Sequence, residues 1–337
     1  MIAANLFVGR PWGSAAMTLL GAFAVALVGM FGAADMLGAT VLSPDLSRQA
    51  RFALDAGEIV TSVAAAGFLL RPIRRDAAMY VPIDPDNPVH TCALVLATLL
   101  LGTQVSSIAF TDVLAANLNQ SPLTVIDLLT GEGPFLVLAV AGVGLFIRRG
   151  VGGSAERLGL VRPAWWHLVL ALAAAGVFLG LGQASDVLSH MYSPELARRV
   201  DATTAHVFGQ LNNPVGIVAI ALLPGICEEV LFRGALQPRI GLLATAVLFT
   251  AVHTEYGLSF DTATVFLLAL GLGLIRRYTN TTTSCACHAS YNLLVGVGLG
   301  GAILNAALVA EAALIVVSAY AIWAERRRRT TATTTSH

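Results

Sequence analysis

The sequence predicts an all-α integral membrane protein: a polytopic bundle of about ten transmembrane helices, with both termini on the cytoplasmic side. Three observations predict this fold class. Of the 337 residues, 56% are hydrophobic and only 12% are charged, whereas about a quarter of the residues in soluble domains are charged. Ten apolar segments are long enough, or nearly so, to cross the hydrocarbon core at about 1.5 Å per helical residue. The arginines also gather at alternate ends of these segments.

The apolar segments are separated by short stretches rich in polar residues, Pro and Gly. The first segment is longer than the core of a cleavable signal peptide, so it is interpreted as a transmembrane helix. The second segment carries Asp55 and Glu58 near one end, which makes it the least apolar. If the Gly300-Gly301 break is only a kink, the last two segments have to be recounted. The ten predicted spans are 17–42, 53–71, 90–112, 127–147, 163–186, 211–237, 241–256, 261–276, 283–300 and 304–324.

The positions of the arginines orient the bundle. All 20 basic residues are Arg, and a cytoplasmic N-terminus with ten alternating spans places 16 of them on the cytoplasmic side. This skew agrees with the positive-inside rule, and the opposite orientation violates it. We therefore predict an N-in, C-in protein of the plasma membrane. The chain has zero net charge and no basic soluble domain, so no nucleic-acid partner is expected. The four arginines on the outer side are Arg48, Arg51, Arg198 and Arg199.

The first group of candidate functional residues lies in the sixth span, where Glu228 and Glu229 are adjacent. An ionised side chain inside a membrane costs about 2.5–3.5 kcal/mol on insertion scales, so each needs a partner or a water-filled cavity. Glu229 and Arg233 are four residues apart and share a helix face, which predicts a structural ion pair. Glu228 then points elsewhere and is a candidate general base. The alternative is a structural ion pair beside a second, satisfied glutamate.

Two further groups follow in later spans. Phe249 and His253 lie four residues apart, and so do His288 and Asn292. Each pair therefore shares one face of its helix. The second pair places an imidazole beside an amide, which together can hold a water molecule or polarise a carbonyl. Taken alone, either histidine is more often a structural residue than a catalytic one.

A common function for the three groups is favoured because all of them are expected at a similar depth in the membrane. Glu228 lies ten residues before Pro238, and His253 lies twelve residues after Gly241. At 1.5 Å per residue these positions are roughly 15 and 18 Å from the same turn, so two antiparallel helices bring them together. His288 and Asn292 are expected about 8–16 Å from the turn that precedes their helix. The sequence thus predicts one buried site, in the cytoplasmic half or the middle of the bilayer.

In this order, these residues resemble the motifs of the CPBP family of intramembrane proteases, which includes the CAAX prenyl endopeptidases and the bacteriocin-processing and immunity (Abi) proteins. The family pattern is E-E-x-x-x-R, then F-x-x-x-H, then H-x-x-x-N. Here it reads Glu228-Glu229…Arg233, Phe249…His253 and His288…Asn292. The resemblance covers about residues 156–305. It divides the chain into N-terminal spans of unassigned role (1–155), a protease core (156–305), a last span (306–325) and a disordered basic, Thr-rich tail (326–337).

The resemblance implies hydrolysis of a peptide bond by an activated water molecule, in a peptide, a prenylated substrate or a membrane-associated protein. Glu228 would be the base and His253 its partner on the water. His288 and Asn292 would bind the water or the developing oxyanion. Whether the family uses a metal is open, and Glu228, His253 and His288 would be a plausible zinc set with a vacant fourth position.

Two other functions remain open. Buried Glu and His residues also form proton relays, so the chain could be a transporter or channel. Against this, the two halves show no repeat, and the ionisable residues gather in three spans. A non-catalytic immunity or scaffold protein of the same fold is the second alternative.

Overall fold

The computed structural model describes residues 1–39, 46–298 and 301–334. Within these ranges the chain is built of helices joined by turns and short loops, and it contains no β-strand apart from one isolated bridge between Leu145 and Arg149. The all-helical prediction is therefore confirmed. The helices are α1 Ile2–Phe7, α2 Gly13–Met36, α3 Arg48–Gly67, α4 Arg71–Ala77, α5 Pro88–Phe110, α6 Val113–Leu118, α7 Val125–Val143, α8 Val151–Leu158, α9 Trp165–Tyr192, α10 Pro194–Val207, α11 Pro214–Glu229, α12 Gln237–Ala251, α13 Phe260–Tyr278, α14 Thr281–Val297 and α15 Gly301–Thr334.

Several of these helices can cross a membrane. By length and composition, six helices in the described ranges pass, or seven if α3 and α4, which meet at 85°, form one broken span. Pro214–Ala251 counts as one of the six. Each of the ten predicted spans overlaps a helix, but the count of ten remains a prediction. Gly300 of the proposed break lies outside the described residues, and α15 continues to Thr334 through the segment for which the sequence predicts disorder.

The run from α11 to α12 is folded into a hairpin. The rings of Phe232 and Phe249 lie 5.3 Å apart, and Glu228 and His253 approach to 3.9 Å. In a straight helix, residues 17 and 25 positions apart would be separated by roughly 26 and 38 Å. Both pairs share one sequence midpoint, beside Gly241, so the chain reverses there. Gly241 has φ +82° and ψ 173°, a region that is essentially restricted to glycine.

A π-helical segment, Val230–Leu236, lies between α11 and this reversal. Single π-helical turns within α-helices are rare and are frequent at functional sites. Here the segment directly follows the two adjacent glutamates and contains Arg233, and its first five residues are buried. It therefore belongs to the best-packed part of the bundle, beside the candidate site.

The bundle has two distinct ends, and several arginines gather at one of them, where Arg148, Arg149, Arg157 and Arg239 lie together. At this arginine-rich end, Arg239 donates to the carbonyl of Pro82 at 3.3 Å, and Arg157 donates to the carbonyl of Gly234 at 3.4 Å. The opposite end contains α6 and α10, which are joined by an ion pair in which Nη2 of Arg199 donates to both carboxylate oxygens of Asp112. The grouping agrees with the arginine pattern predicted from the sequence.

Candidate active site

The two adjacent glutamates point to different surroundings. Glu229 is fully buried, and its Oε2 lies 3.4 Å from Nε of Arg233, one helical turn later. Ser284 donates a hydrogen bond to the same carboxylate, and Nδ1 of His288 lies 3.2 Å from its other oxygen. Glu228 is only 4% exposed, and its Oε2 has no hydrogen-bond partner among the described residues. Glu229 is thus fully engaged, whereas Glu228 has an oxygen left for a water or substrate.

Arg233 and Phe249 connect the motifs. The Arg233 guanidinium is fully buried, stacks over the Phe249 ring at 4.3 Å and donates to the carbonyl of Ala269 at 3.2 Å. The same ring lies 4.7 Å from the His253 ring and 6.0 Å from the His288 ring. Cation–π and aromatic contacts of this kind are worth about 0.5–2 kcal/mol each when desolvated. Phe249 therefore holds Arg233 and the two imidazoles in one cluster.

The hydrogen bonds of His253 fix its protonation pattern. Its Nδ1 lies 2.8 Å from the carbonyl oxygen of Phe249. A carbonyl can only accept, so Nδ1 carries the proton. In the neutral ring, Nε2 is then an unprotonated acceptor, and this atom faces Oε1 of Glu228 at 3.9 Å. A carboxylate and an imidazole lone pair thus converge on one point.

His288 and Asn292 are positioned by α14. This helix begins at Thr281, where the side chain of Asn280 accepts from the backbone N–H of Thr283 at 2.9 Å and caps the helix. Asn292 donates through Nδ2 to the carbonyl of Ile220 at 3.2 Å, which ties α14 to α11. Each side chain can still make further hydrogen bonds. His288 can do so through Nε2, and Asn292 through Oδ1 and its second amide hydrogen.

Close packing of α11 on α14 sets the distance between these groups. At Gly225, an added Cβ would lie 2.9 Å from the backbone N and Cα of Ala289. No side chain larger than hydrogen fits there without moving one helix. The contact lies one turn before Glu229 and one residue after His288, so it brings the motif of α11 against the motif of α14.

A cavity of about 360 Å³ contains the four predicted catalytic side chains. Its lining joins Glu228, His253, His288 and Asn292 to Phe249 and Tyr291. It extends to the half-buried Asn117 and the exposed Gln120 and Ser121, near α6. The cavity therefore leads from the buried glutamate to the opposite end of the bundle, away from the arginine-rich end.

Two carboxylates of this cavity were not predicted as site residues. Glu132 is on α7 and Glu255 is in the short 3-10 helix Thr254–Tyr256, and both line the cavity with Glu228. Oε2 of Glu132 is buried without a hydrogen-bond partner in the described structure. None of the described residues that line it is an arginine, so we call this space the acidic cavity. The sequence places Glu132 inside an apolar span, and an ionisable residue at such a position could have indicated a functional role. Ser284, one turn before His288, was also missed.

The predicted zinc set does not come together as three ligands. Among the described residues, the His, Cys, Asp and Glu groups whose ligand atoms lie within 4.8 Å of one another are Asp186, His190 and Asp201, all exposed. Glu228, His253 and His288 form no such group. Ligands of one zinc ion each lie about 2.0–2.2 Å from the metal, which requires closer spacing. The side-chain positions therefore do not fit a preformed three-ligand site.

Comparison with known proteins agrees with the motif resemblance. Residues 210–294 match the model of the family described as "Type II CAAX prenyl endopeptidase Rce1-like". This segment contains all three motifs, so the family resemblance predicted from the sequence is confirmed there. The uncharacterized protein YpbD of Bacillus subtilis (strain 168) is 27% identical over 142 residues, which are 41% of this chain and 70% of that protein. No solved structure matches the chain.

Proposed function

We propose that the protein is an intramembrane endopeptidase that hydrolyses a peptide bond with a water molecule activated by Glu228. The observation that carries this proposal is the approach of Glu228 Oε1 to His253 Nε2, at 3.9 Å, inside the acidic cavity. Oε1 of Glu228 and the acceptor nitrogen of His253 can hold one water molecule between them. General-base catalysis of this kind contributes about 10²–10⁴-fold to a rate.

The reaction runs through a tetrahedral intermediate. Glu228 takes a proton from the water as its oxygen attacks the carbonyl carbon of the scissile bond. The negative charge that develops on the carbonyl oxygen is stabilised by the second amide hydrogen of Asn292 and, when its ring is doubly protonated, by Nε2 of His288. Glu228 then passes its proton to the amide nitrogen, the C–N bond breaks, and a carboxylate and an amine leave.

Glu229 and Arg233 act as positioning residues in this proposal. Their ion pair, with Ser284 and His288 on the same carboxylate, fixes the faces of α11 and α14. A preorganised site of this kind stabilises the transition state without reorganising during the reaction. No step is assigned to a metal, because the three predicted ligands do not group around one point.

The orientation that we propose follows the arginines: the arginine-rich end, with both termini, faces the cytoplasm. The sequence argument placed the site in the cytoplasmic half by measuring depth from the Gly241 turn. The acidic cavity, however, reaches the surface beside Asn117 and Gln120 at the opposite end. In this orientation, substrates reach Glu228 from the outer side of the plasma membrane.

The proposed function is tested by profiling new peptide N-termini by mass spectrometry in membranes that contain the wild-type protein or Glu228→Gln. The wild type is expected to generate N-termini that are absent with Glu228→Gln. The matched control is Glu195→Gln, which removes an exposed carboxylate that does not line the cavity. Identical N-termini with all three proteins would refute the protease, and a solute or proton flux lost in Glu228→Gln would favour the transporter.

A further inference from the structure

A second cavity, of about 480 Å³, lies on the other side of the α11–α12 hairpin. Its walls are formed by α5, α7, the π-helical segment and α12. They are almost entirely apolar, as illustrated by Leu94, Leu100, Leu138, Leu231 and Leu248. An apolar cavity of this size within membrane helices accommodates hydrocarbon rather than water.

One end of this space is surrounded by arginines. Arg148, Arg149, Arg157 and Arg239 all line it, and no described carboxylate lies within ion-pair distance of these four. We call the whole feature the arginine-capped groove. Asp84 is the carboxylate in its lining, and an oxygen of Asp84 accepts from the backbone N–H of Asp86. Three more positive than negative side chains therefore face the groove.

The guanidinium groups are held in place by backbone carbonyls instead of by acids. Arg149 donates to Val143, Arg157 to Gly234 and Arg239 to Pro82, and Nε of Arg239 has no partner in the described structure. Burial, together with the neighbouring charges of Arg239, Arg149 and Arg276, lowers the pKa of Arg157 to about 10. Such cations are oriented but not neutralised, which is the arrangement that an anionic ligand stabilises.

We infer that the arginine-capped groove is a binding site for an anionic phospholipid of the bilayer, with an acyl chain among the leucines and the phosphate among the arginines. The charge complementarity and the apolar walls together select an amphipathic anion. Basic pockets between transmembrane helices on the cytoplasmic side bind such headgroups, and this groove lies at the arginine-rich end. A zwitterionic lipid can pack its acyl chain against the apolar walls but does not neutralise the arginines. A free phosphate can neutralise the arginines but leaves the apolar walls empty.

The groove is adjacent to the candidate active site. Leu231 and Phe232, which line it, lie two and three residues after Glu229 in the π-helical segment, and Phe135 lines both this groove and the acidic cavity. Arg157 contacts the same segment through the Gly234 carbonyl. A bound lipid therefore packs against the segment that carries Arg233.

The test is native mass spectrometry of the full chain released from dodecyl maltoside micelles, titrated with phosphatidylglycerol or with phosphatidylcholine of the same acyl chains. We expect the wild type to retain one phosphatidylglycerol and to bind phosphatidylcholine much more weakly. Arg157→Gln/Arg239→Gln should retain phosphatidylglycerol about 30-fold more weakly, since each arginine near a headgroup contributes about fivefold. Ala97→Phe, which fills the apolar wall without changing charge, should also lose it.

The matched control is Arg162→Gln/Arg277→Gln, which removes two exposed arginines from the same end but outside the groove. It should bind phosphatidylglycerol like the wild type. Far-UV circular dichroism verifies that each variant is folded, and Ala97→Phe gives an independent variant if the double arginine variant is not. Equal retention of both lipids, an equal loss in the control, or displacement by glycerol phosphate alone would each overturn the inference.

Discussion

The adjacent glutamates allow a sharp prediction, because their surroundings give them opposite roles. Glu229 and Arg233 are fully buried and paired. Removing one member of such a pair leaves an uncompensated charge and costs about 3–5 kcal/mol. Arg233→Met should therefore lower the free energy of unfolding by about that amount, since Ser284 and His288 are then the remaining partners of the Glu229 carboxylate.

Replacing both members should restore most of the loss. Glu229→Gln/Arg233→Met has no buried charge left unpaired, and such replacements are often neutral or stabilising. We expect the double variant to lie within about 2 kcal/mol of the wild type. Glu228→Gln should keep the wild-type stability or exceed it, because it removes a buried carboxylate that has an unpartnered oxygen.

The assay is reversible unfolding in mixed dodecyl maltoside and dodecyl sulfate micelles, followed by circular dichroism. Arg277→Met, which changes an exposed arginine, is the matched control and should alter stability by less than about 0.5 kcal/mol. The reasoning is refuted if Arg233→Met costs less than about 1 kcal/mol, or if the double variant is less stable than Arg233→Met alone.

Four further results are expected. Gly225→Ala should destabilise the protein by about 1–3 kcal/mol and slow cleavage, as its Cβ meets the Ala289 backbone at 2.9 Å; unchanged unfolding would contradict the packing of α11 on α14. Gly241→Ala should also cost about 1–3 kcal/mol because φ is +82° at this position, although an added Cβ would meet no described neighbour within 4 Å. A neutral effect on unfolding would contradict the hairpin. Glu132→Gln should slow cleavage of an internally quenched peptide with Lys beside the scissile bond about tenfold more than that of a neutral peptide, because it removes a carboxylate of the acidic cavity; equal slowing would contradict an electrostatic role. Dialysis against a chelator should leave the cleavage rate unchanged, and a loss restored by Zn²⁺ would contradict the metal-free mechanism.

The sequence was sufficient to predict the hairpin and the convergence of the three motifs, because both follow from counting residues along helices. The similar distances of Glu228 and His253 from the turn predicted that the two would meet, and Oε1 of Glu228 lies 3.9 Å from Nε2 of His253. The four-residue spacing of Glu229 and Arg233 likewise predicted their contact at 3.4 Å.

The remaining features depend on packing between distant segments, which periodicity does not encode. Glu132 faces the site because α7 packs against α11, about 100 residues away in the chain. The opening beside Asn117 and Gln120 depends on where α6 and the 3-10 helix Thr254–Tyr256 meet. The arginines from which we predict the orientation were visible in the sequence, whereas the arrangement of four of them around an apolar groove depends on how distant helices pack.

The central claim is that Glu228 activates water instead of attacking the peptide bond itself. Single-turnover cleavage in H₂¹⁸O, with a substrate identified from the new N-termini, tests it most directly. We predict one ¹⁸O atom in the new C-terminal carboxylate of the product, none in the Glu228 side chain, and no cleavage by Glu228→Gln. Incorporation of ¹⁸O into Glu228, or cleavage by Glu228→Gln at the wild-type rate, would contradict the mechanism.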